Sequence, residues 1–286
     1  MKTTFNQNAK IRRSFFSLLA LVFTAAFLLT SCQEEEPPVV VDEPVDECAA
    51  ANDTGEWGYD NNGGPACWGS VCSHGACDGN AQSPINITGA DTNTTLPFLS
   101  LVGGFTRTDI VNNGHTVKFN VNPGSFVSYG TLPPDGYSNE FTLGQFHFHG
   151  NSEHTVDGSR APLEAHFVHR SVWGDNYLVL SVLFEAGAEN TFLAQFDSHL
   201  PTDTDGTYNN DTLTFSPYSL IPTDRSYYKY TGSLTTPPCT ETVTWIVFQD
   251  KVEASQAQLD AYNALLTDNY RPTQDLNGRV IDFVVQ

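Results

Sequence analysis

The stretch Gln145-Phe146-His147-Phe148-His149-Gly150 decides how this chain is read. Polar and aromatic residues alternate with a period of two, the pattern of a β-strand with one apolar face. Residues two apart point to the same side, so Gln145, His147 and His149 share a face. A second strand-like run, Leu163-Glu164-Ala165-His166-Phe167-Val168-His169, follows. Residues 151–159 between them are rich in Asn, Asp, Gly and Ser, so the chain can fold back as an antiparallel neighbour. That return sets His166 beside the first pair. Three neutral imidazoles with one vacant position make a catalytic zinc site, whereas four protein ligands make a closed structural one. The competing reading leaves these histidines as satisfied core or surface residues.

A zinc-binding imidazole needs an acceptor on its other ring nitrogen. Gln145 lies two residues before His147, and Glu164 two before His166, each on its ligand's face. A buried Glu164 is costly unless a partner uses its charge. The alternative is an exposed strand residue paired with Arg170.

Short runs rich in β-branched and aromatic residues recur at 116–121, 140–148, 164–172, 177–185, 242–249 and 280–285, with turn formers between them. This is the pattern of an all-β domain. Two segments read as peripheral helices. Ser255 followed by Gln258 is a capping box, with Leu259, Tyr262, Leu265 and Leu266 at helical spacing. Residues 190–199 place Phe192, Leu193 and Phe196 on one face. No Gly-rich phosphate loop and no Gly-x-Ser-x-Gly elbow is present.

The N-terminus of this 286-residue chain reads as a targeting segment. Lys2, Lys10, Arg12 and Arg13 precede a largely apolar run from Ser14 to Thr30. Leu29-Thr30-Ser31-Cys32 resembles a bacterial lipoprotein cleavage box, with Cys32 lipidated. The alternatives are an uncleaved anchor or a plain secretory signal. The organisation expected is a signal peptide over 1–31, an acidic Pro-rich tether over 32–54 and one folded domain over 55–286. The expected location is exported and membrane-anchored through Cys32, at the outer membrane, on its periplasmic face or at the cell surface.

The formal charge of −20 becomes −24 without residues 1–31, which carry four basic and no acidic side chains. A surface this acidic is not expected to bind nucleic acid. With Cys32 lipidated, Cys48, Cys67, Cys72, Cys77 and Cys239 remain, and an oxidising compartment allows disulfides. The spacing of Cys67, Cys72 and Cys77, with His74 added, is not a usual zinc pattern, and disulfides are the favoured reading there.

Further stretches extend the pattern: Trp57-Gly58-Tyr59, Gln82-Ser83-Pro84-Ile85-Asn86-Ile87, Asn112-Asn113-Gly114-His115, Ser152-Glu153-His154-Thr155-Val156-Asp157-Gly158, Gly232-Ser233-Leu234-Thr235-Thr236-Pro237-Pro238, Val243-Thr244-Trp245-Ile246-Val247 and Asn269-Tyr270-Arg271-Pro272. Together, in this order, they resemble the α-class carbonic anhydrases along nearly all of residues 55–286. The resemblance implies a mainly β single domain, built on a twisted, mostly antiparallel sheet of about ten strands with short peripheral helices. It implies hydration of carbon dioxide to bicarbonate and a proton, with Zn2+ held by His147, His149 and His166. Thr235 would orient the attacking hydroxide, Glu153 would accept the Thr235 proton, and Thr236 would flank the place where bicarbonate forms. Val168, Val179, Leu234, Val243 and Trp245 match the apolar substrate wall. His115 matches the proton shuttle, and Tyr59 and Asn113 match residues that order the relay waters.

Cys77 and Cys239 match a family disulfide, and Ser83-Pro84 and Pro237-Pro238 match its cis peptide bonds. Two departures stand out. Gly150 replaces the aromatic that often follows the second ligand, and Lys118 stands where Asn or Gln is common, which could shift inhibitor preference. Cys48, Cys67 and Cys72 have no counterpart, and a Cys67–Cys72 pair is expected. The oligomeric state is not legible. A binding module that has lost catalysis and a zinc esterase are the alternatives, the first disfavoured because all three histidines remain with Thr235 and Glu153.

Overall fold

The computed structural model describes residues 56–60, 63–71, 76–96, 99–104, 106, 108–121, 126–129, 140–209 and 214–286. The expectations for the signal, Cys32, the tether, Cys48 and Cys72 lie outside those residues. The chain divides into Met1–Val45, outside the described residues, and Asp46–Gln286, which holds everything below. No helix among the described residues is long and apolar enough to cross a membrane.

The strands run β1 (Asn86–Ile87), β2 (Asp91–Thr92), β3 (Leu99–Val102), β4 (Thr108–Asn112), β5 (Val117–Val121), β6 (Phe126–Tyr129), β7 (Glu140–Gly150) and β8 (Thr155–Val156). They continue as β9 (Ser159–Arg160), β10 (Leu163–Ser171), β11 (Tyr177–Ala186), β12 (Thr207–Asn209), β13 (Tyr227–Gly232), β14 (Val243–Phe248), β15 (Val252–Ala254) and β16 (Asp282–Val284). The six runs expected from alternation are β5, β7, β10, β11, β14 and β16, with ends moved by a residue or two.

The main sheet follows the order β12-β4-β5-β7-β10-β11-β14-β13-β16-β2, a path of ten strands, with β3, β6 and β15 attached beside it. Most pairs are antiparallel. β11 runs parallel to β14 and β15, and β16 parallel to β2. The segment expected as a turn after β7 contains a small hairpin, β8–β9, which pairs with β1. Asp157 and Gly158 close it, both with positive φ (48° and 77°), as a two-residue hairpin turn requires.

The core lies behind the histidine face. Phe119, Phe146, Phe148 and Phe167 are fully buried, with stacked centroids 4.5 Å apart for Phe119–Phe146 and 5.3 Å for Phe146–Phe167. Each such side chain contributes about 1.5–3 kcal/mol on burial, which holds the central strands in place. Helix α1 (Trp68–Val71) leaves Trp68 fully buried. Helix α2 (Thr191–Ala194) is shorter than expected for residues 190–199. The Asn190 side chain caps it, and the chain then tightens through Phe196 N–H to Leu193 O and His199 N–H to Phe196 O. Phe192, Leu193 and Phe196 are all buried, so the apolar face is as read but the backbone is not continuous helix. Helix α3 (Gln256–Leu266) has the expected capping box between Ser255 and Gln258 and buries Leu259, Tyr262 and Leu266.

β7 changes partner midway. Its C-terminal half pairs with β5 and its N-terminal half with β6. Against β10, Val168 faces Gln145 but His169 faces Leu143, so Gly144 is an extra, bulged residue.

Cys77 and Cys239 form a disulfide across 162 residues. Cys67 is also disulfide-bonded. A metal site built on Cys67 and Cys77 is therefore excluded. The peptide bonds Ser83-Pro84 and Pro237-Pro238 are cis.

Candidate metal centre

Strand register brings the three histidines together. His147 faces His166 across β7–β10, and His149 faces Glu164. Ring centroids are 5.0 Å apart for His147–His149, 5.4 Å for His147–His166 and 4.6 Å for His149–His166. One nitrogen from each ring lies within 4.8 Å of the others. The remaining nitrogens are engaged. His147 Nδ1 meets Gln145 Oε1 at 2.8 Å, His149 Nδ1 meets the Asn269 carbonyl at 2.6 Å, and His166 Nε2 meets Glu164 Oε1 at 2.7 Å. His147 Nε2, His149 Nε2 and His166 Nδ1 are left to converge. Buried His149 Nε2 has no hydrogen-bond partner.

All three rings are held neutral. Burial lowers the His149 pKa to about 4 and also lowers His166. Burial, the neighbouring imidazoles and the Lys118 charge keep His147 well below the usual imidazole range. Neutral imidazole is the ligand form, so the cluster needs no deprotonation near pH 7.

Glu164 is fully buried and its charge is fully used. Oε1 accepts from His154 Nδ1 (2.7 Å), His166 Nε2 (2.7 Å) and Ser181 Oγ (2.6 Å), and Oε2 from the Glu153 and His154 N–H groups (2.7 and 2.9 Å). Burial alone would raise its pKa, but the facing histidines more than offset that and hold it well below the carboxylate range. The alternative pairing with Arg170 is excluded, since Arg170 pairs with Asp175 at 2.8 Å. His154 continues the network, with Nε2 2.6 Å from the Tyr230 hydroxyl, which donates to Ser83 Oγ.

Glu153 is fully buried beside His149 and His166. Oε1 accepts from the Arg271 N–H at 2.8 Å. Oε2 lies 3.5 Å from His149 Nε2 and 3.8 Å from His166 Nδ1 and accepts no hydrogen bond. Burial raises its pKa to about 7, opposed by His166 and by the nearby Thr235 hydroxyl. The Thr235 hydroxyl thus faces the Glu153 carboxylate as a hydrogen-bond donor. Thr236 is half-buried, and its carbonyl accepts from the Cys239 N–H, so the disulfide closes the turn that carries both threonines.

Val168, Val179, Leu234, Val243 and Trp245 belong to one apolar cluster on the histidine side of the sheet. Val168 faces both Gln145 and Val179, and Val179 faces Trp245, so the wall continues the ligand face strand by strand. The Trp245 ring lies 4.8 Å from His166. His115 is half-buried and stacks on Trp57 at 3.8 Å, and partial burial lowers its pKa. Asn113 is exposed and its Oδ1 accepts from the His115 and Thr116 N–H groups, which fixes the turn. Burial, with the Glu153 charge behind it, raises the Tyr59 phenol well above its usual value.

Several members of the site carry no local sequence signal. Asn269 binds His149 through its carbonyl, while its side chain donates to the His115 and Phe148 carbonyls and accepts from Gly150 N–H. The Arg271 guanidinium donates to Gln82 Oε1 and to the Ser83 and Cys77 carbonyls. The partners of both residues lie more than a hundred positions away.

Residues 63–284 match the model of the eukaryotic-type carbonic anhydrase family. The chain is 40% identical to a carbonic anhydrase of Pectobacterium carotovorum over 236 residues, 82% of this chain and 93% of that protein. It resembles the solved α-carbonic anhydrase of Thermovibrio ammonificans in complex with sulfanilamide, with a TM-score of 0.73 at 40% identity, over 79% of this chain and 98% of that one. A hyperthermostable carbonic anhydrase from a hydrothermal vent chimney matches at TM-score 0.73 and 37% identity, over 80% of this chain and all of that one.

Proposed function

The chain belongs to the eukaryotic-type carbonic anhydrase family, and on that premise we propose that its cleft holds Zn2+ and interconverts carbon dioxide with bicarbonate and a proton. The observation that carries the metal assignment is the convergence of three neutral imidazole nitrogens, one of them buried without a partner. A buried polar atom left unpaired calls for an ion or water. Three nitrogens with an open fourth position suit a catalytic zinc.

When bound, zinc would lower the pKa of a coordinated water to about 7, a figure established for carbonic anhydrase itself. The protein supplies the rest. Gln145, Asn269 and Glu164 fix the orientation and tautomer of His147, His149 and His166 respectively. Glu153 takes the Thr235 hydroxyl proton as a hydrogen bond, which turns a Thr235 lone pair toward the reacting oxygen. Orientation is then fixed before the reaction begins. The Thr236 position flanks the bicarbonate. Carbon dioxide has no charge or dipole, and Val168, Val179, Leu234, Val243 and Trp245 offer it a matching apolar wall. His115 removes the proton through waters ordered by Tyr59 and Asn113.

Stopped-flow measurement of CO2 hydration, with metal analysis and with chelation and zinc reloading, tests the reading. Activity that vanishes with the metal and returns with one zinc per chain is expected. A folded, zinc-loaded protein without activity would sink it. Ester hydrolysis measured alongside separates an esterase. We also propose that Cys32 is lipidated and anchors the exported enzyme to the outer membrane. Fatty-acid labelling that survives in Cys32→Ala would refute that.

A further inference from the structure

One cation of the cleft is not used by the chemistry above. Lys118 lies on β5, whose Val117, Phe119 and Val121 enter the core, so Lys118 and Asn120 face the other way. On that side Lys118 is directly opposite His147, and His147 is opposite His166. Side chains directly opposite in an antiparallel pair start about 5 Å apart. The ammonium on its four-carbon stem therefore swings within the space in front of the ligand cluster.

Among the described residues this charge has no carboxylate partner. None of the ion pairs among the described residues includes Lys118. Of the two buried carboxylates beside the histidines, Glu164 is taken up by five donors, and Glu153 accepts from Arg271 N–H and lies beside His149 and His166, with neither paired to Lys118. Lys118 is half-buried, beside the candidate reaction centre. The whole chain carries a formal charge of −20, so its general field repels anions. A local cation is what an anionic reactant needs on entering such a cleft.

We infer that Lys118 is a specificity-determining residue that holds the anionic reactant, bicarbonate, at the cleft wall, and likewise binds other small monovalent anions there. This rests on the proposed interconversion of carbon dioxide and bicarbonate. Carbon dioxide is uncharged, so Lys118 acts on the binding of one reactant and not on the equilibrium between the two. It raises affinity for bicarbonate and leaves that for carbon dioxide alone.

The test compares wild type with Lys118→Met, which keeps the stem and removes the charge, and Lys118→Arg, which keeps the charge. Steady-state KM is measured for bicarbonate in dehydration and for carbon dioxide in hydration. Thiocyanate binding to the zinc-loaded protein is measured by calorimetry, a readout independent of turnover. Lys118→Met is expected to raise the bicarbonate KM and weaken thiocyanate about three- to tenfold, the range for a partly screened charge pair. The carbon dioxide KM stays within twofold, and Lys118→Arg behaves as wild type. Unchanged bicarbonate KM and thiocyanate affinity in a folded Lys118→Met overturn the inference. Equal weakening by Lys118→Arg overturns it too, because charge is then not the cause. A wild type that does not interconvert the two species refutes the functional reading instead, while the thiocyanate comparison still reads on Lys118.

Discussion

Replacing Glu164 by Gln tests the logic of the site most directly. The carboxylate accepts five hydrogen bonds, three on Oε1 and two on Oε2. A glutamine keeps one acceptor oxygen and turns the other into an N–H2 group that faces donors. At least two bonds are lost, whichever way the amide turns. Hydrogen bonds to a charged group contribute about 1.5–3 kcal/mol each. Two such losses amount to about 3–6 kcal/mol, and relief of the buried charge returns part of it. A net destabilisation of about 3 kcal/mol is expected, or about 6–12 °C in Tm for a domain of this size. His166 also loses the acceptor that fixes its ring, and losses of that kind weaken metal binding about 10–100-fold. Urea unfolding of the metal-free protein reads the first effect, and zinc competition against a chelator reads the second. A change under about 1 kcal/mol together with unaltered zinc affinity would refute the account of Glu164 as both a structural hub and a ligand anchor.

Three further outcomes follow from the histidines. His115→Ala should slow maximal CO2 hydration about tenfold or more in weak buffer and recover with added imidazole; unchanged turnover would remove His115 from the relay. Because burial lowers its pKa, the rising limb of the wild-type rate should have its midpoint below the ordinary 6.5. His169 is buried neutral, with Nδ1 against the Phe167 and Leu178 carbonyls, Nε2 against Tyr218, and a pKa lowered to about 4 by burial. The unfolded chain takes up this proton first, so the stabilisation is whole above about pH 6.5 and is lost as pH falls toward 4, about 3 kcal/mol in all. Urea midpoints at pH 7 and pH 5 should converge more in His169→Gln than in wild type; an equal acid loss in both would show that His169 does not titrate this way.

What the sequence disclosed follows from the range of the forces involved. The period-two alternation of residues 145–149 and the turn formers after it lie within a few residues, and they were enough to face His147 with His166. Gln145 and Glu164 were legible for the same reason, sitting two residues from their ligands. The acceptor for His149 was not, because Asn269 lies 120 positions away and gives a backbone carbonyl, which any residue possesses. The Arg271 bond to Glu153 is likewise a main-chain contact at long range. The helix expected over 190–199 shows a third limit. Asn190 takes its place through Gln258, whose side chain bonds both its N–H and its carbonyl from another helix, so tertiary partners and not local propensity set how far α2 runs.

The bulge at Gly144 divides one strand between two tasks. C-terminal to it, odd-numbered residues (145, 147, 149) look into the cleft; N-terminal to it, Leu143 looks into the core. A one-residue change of length upstream can therefore be taken up at the kink without rotating the ligands. The scaffold-facing half and the chemical half of β7 can accept mutations on separate schedules, like two carriages joined by a coupling that tolerates slack.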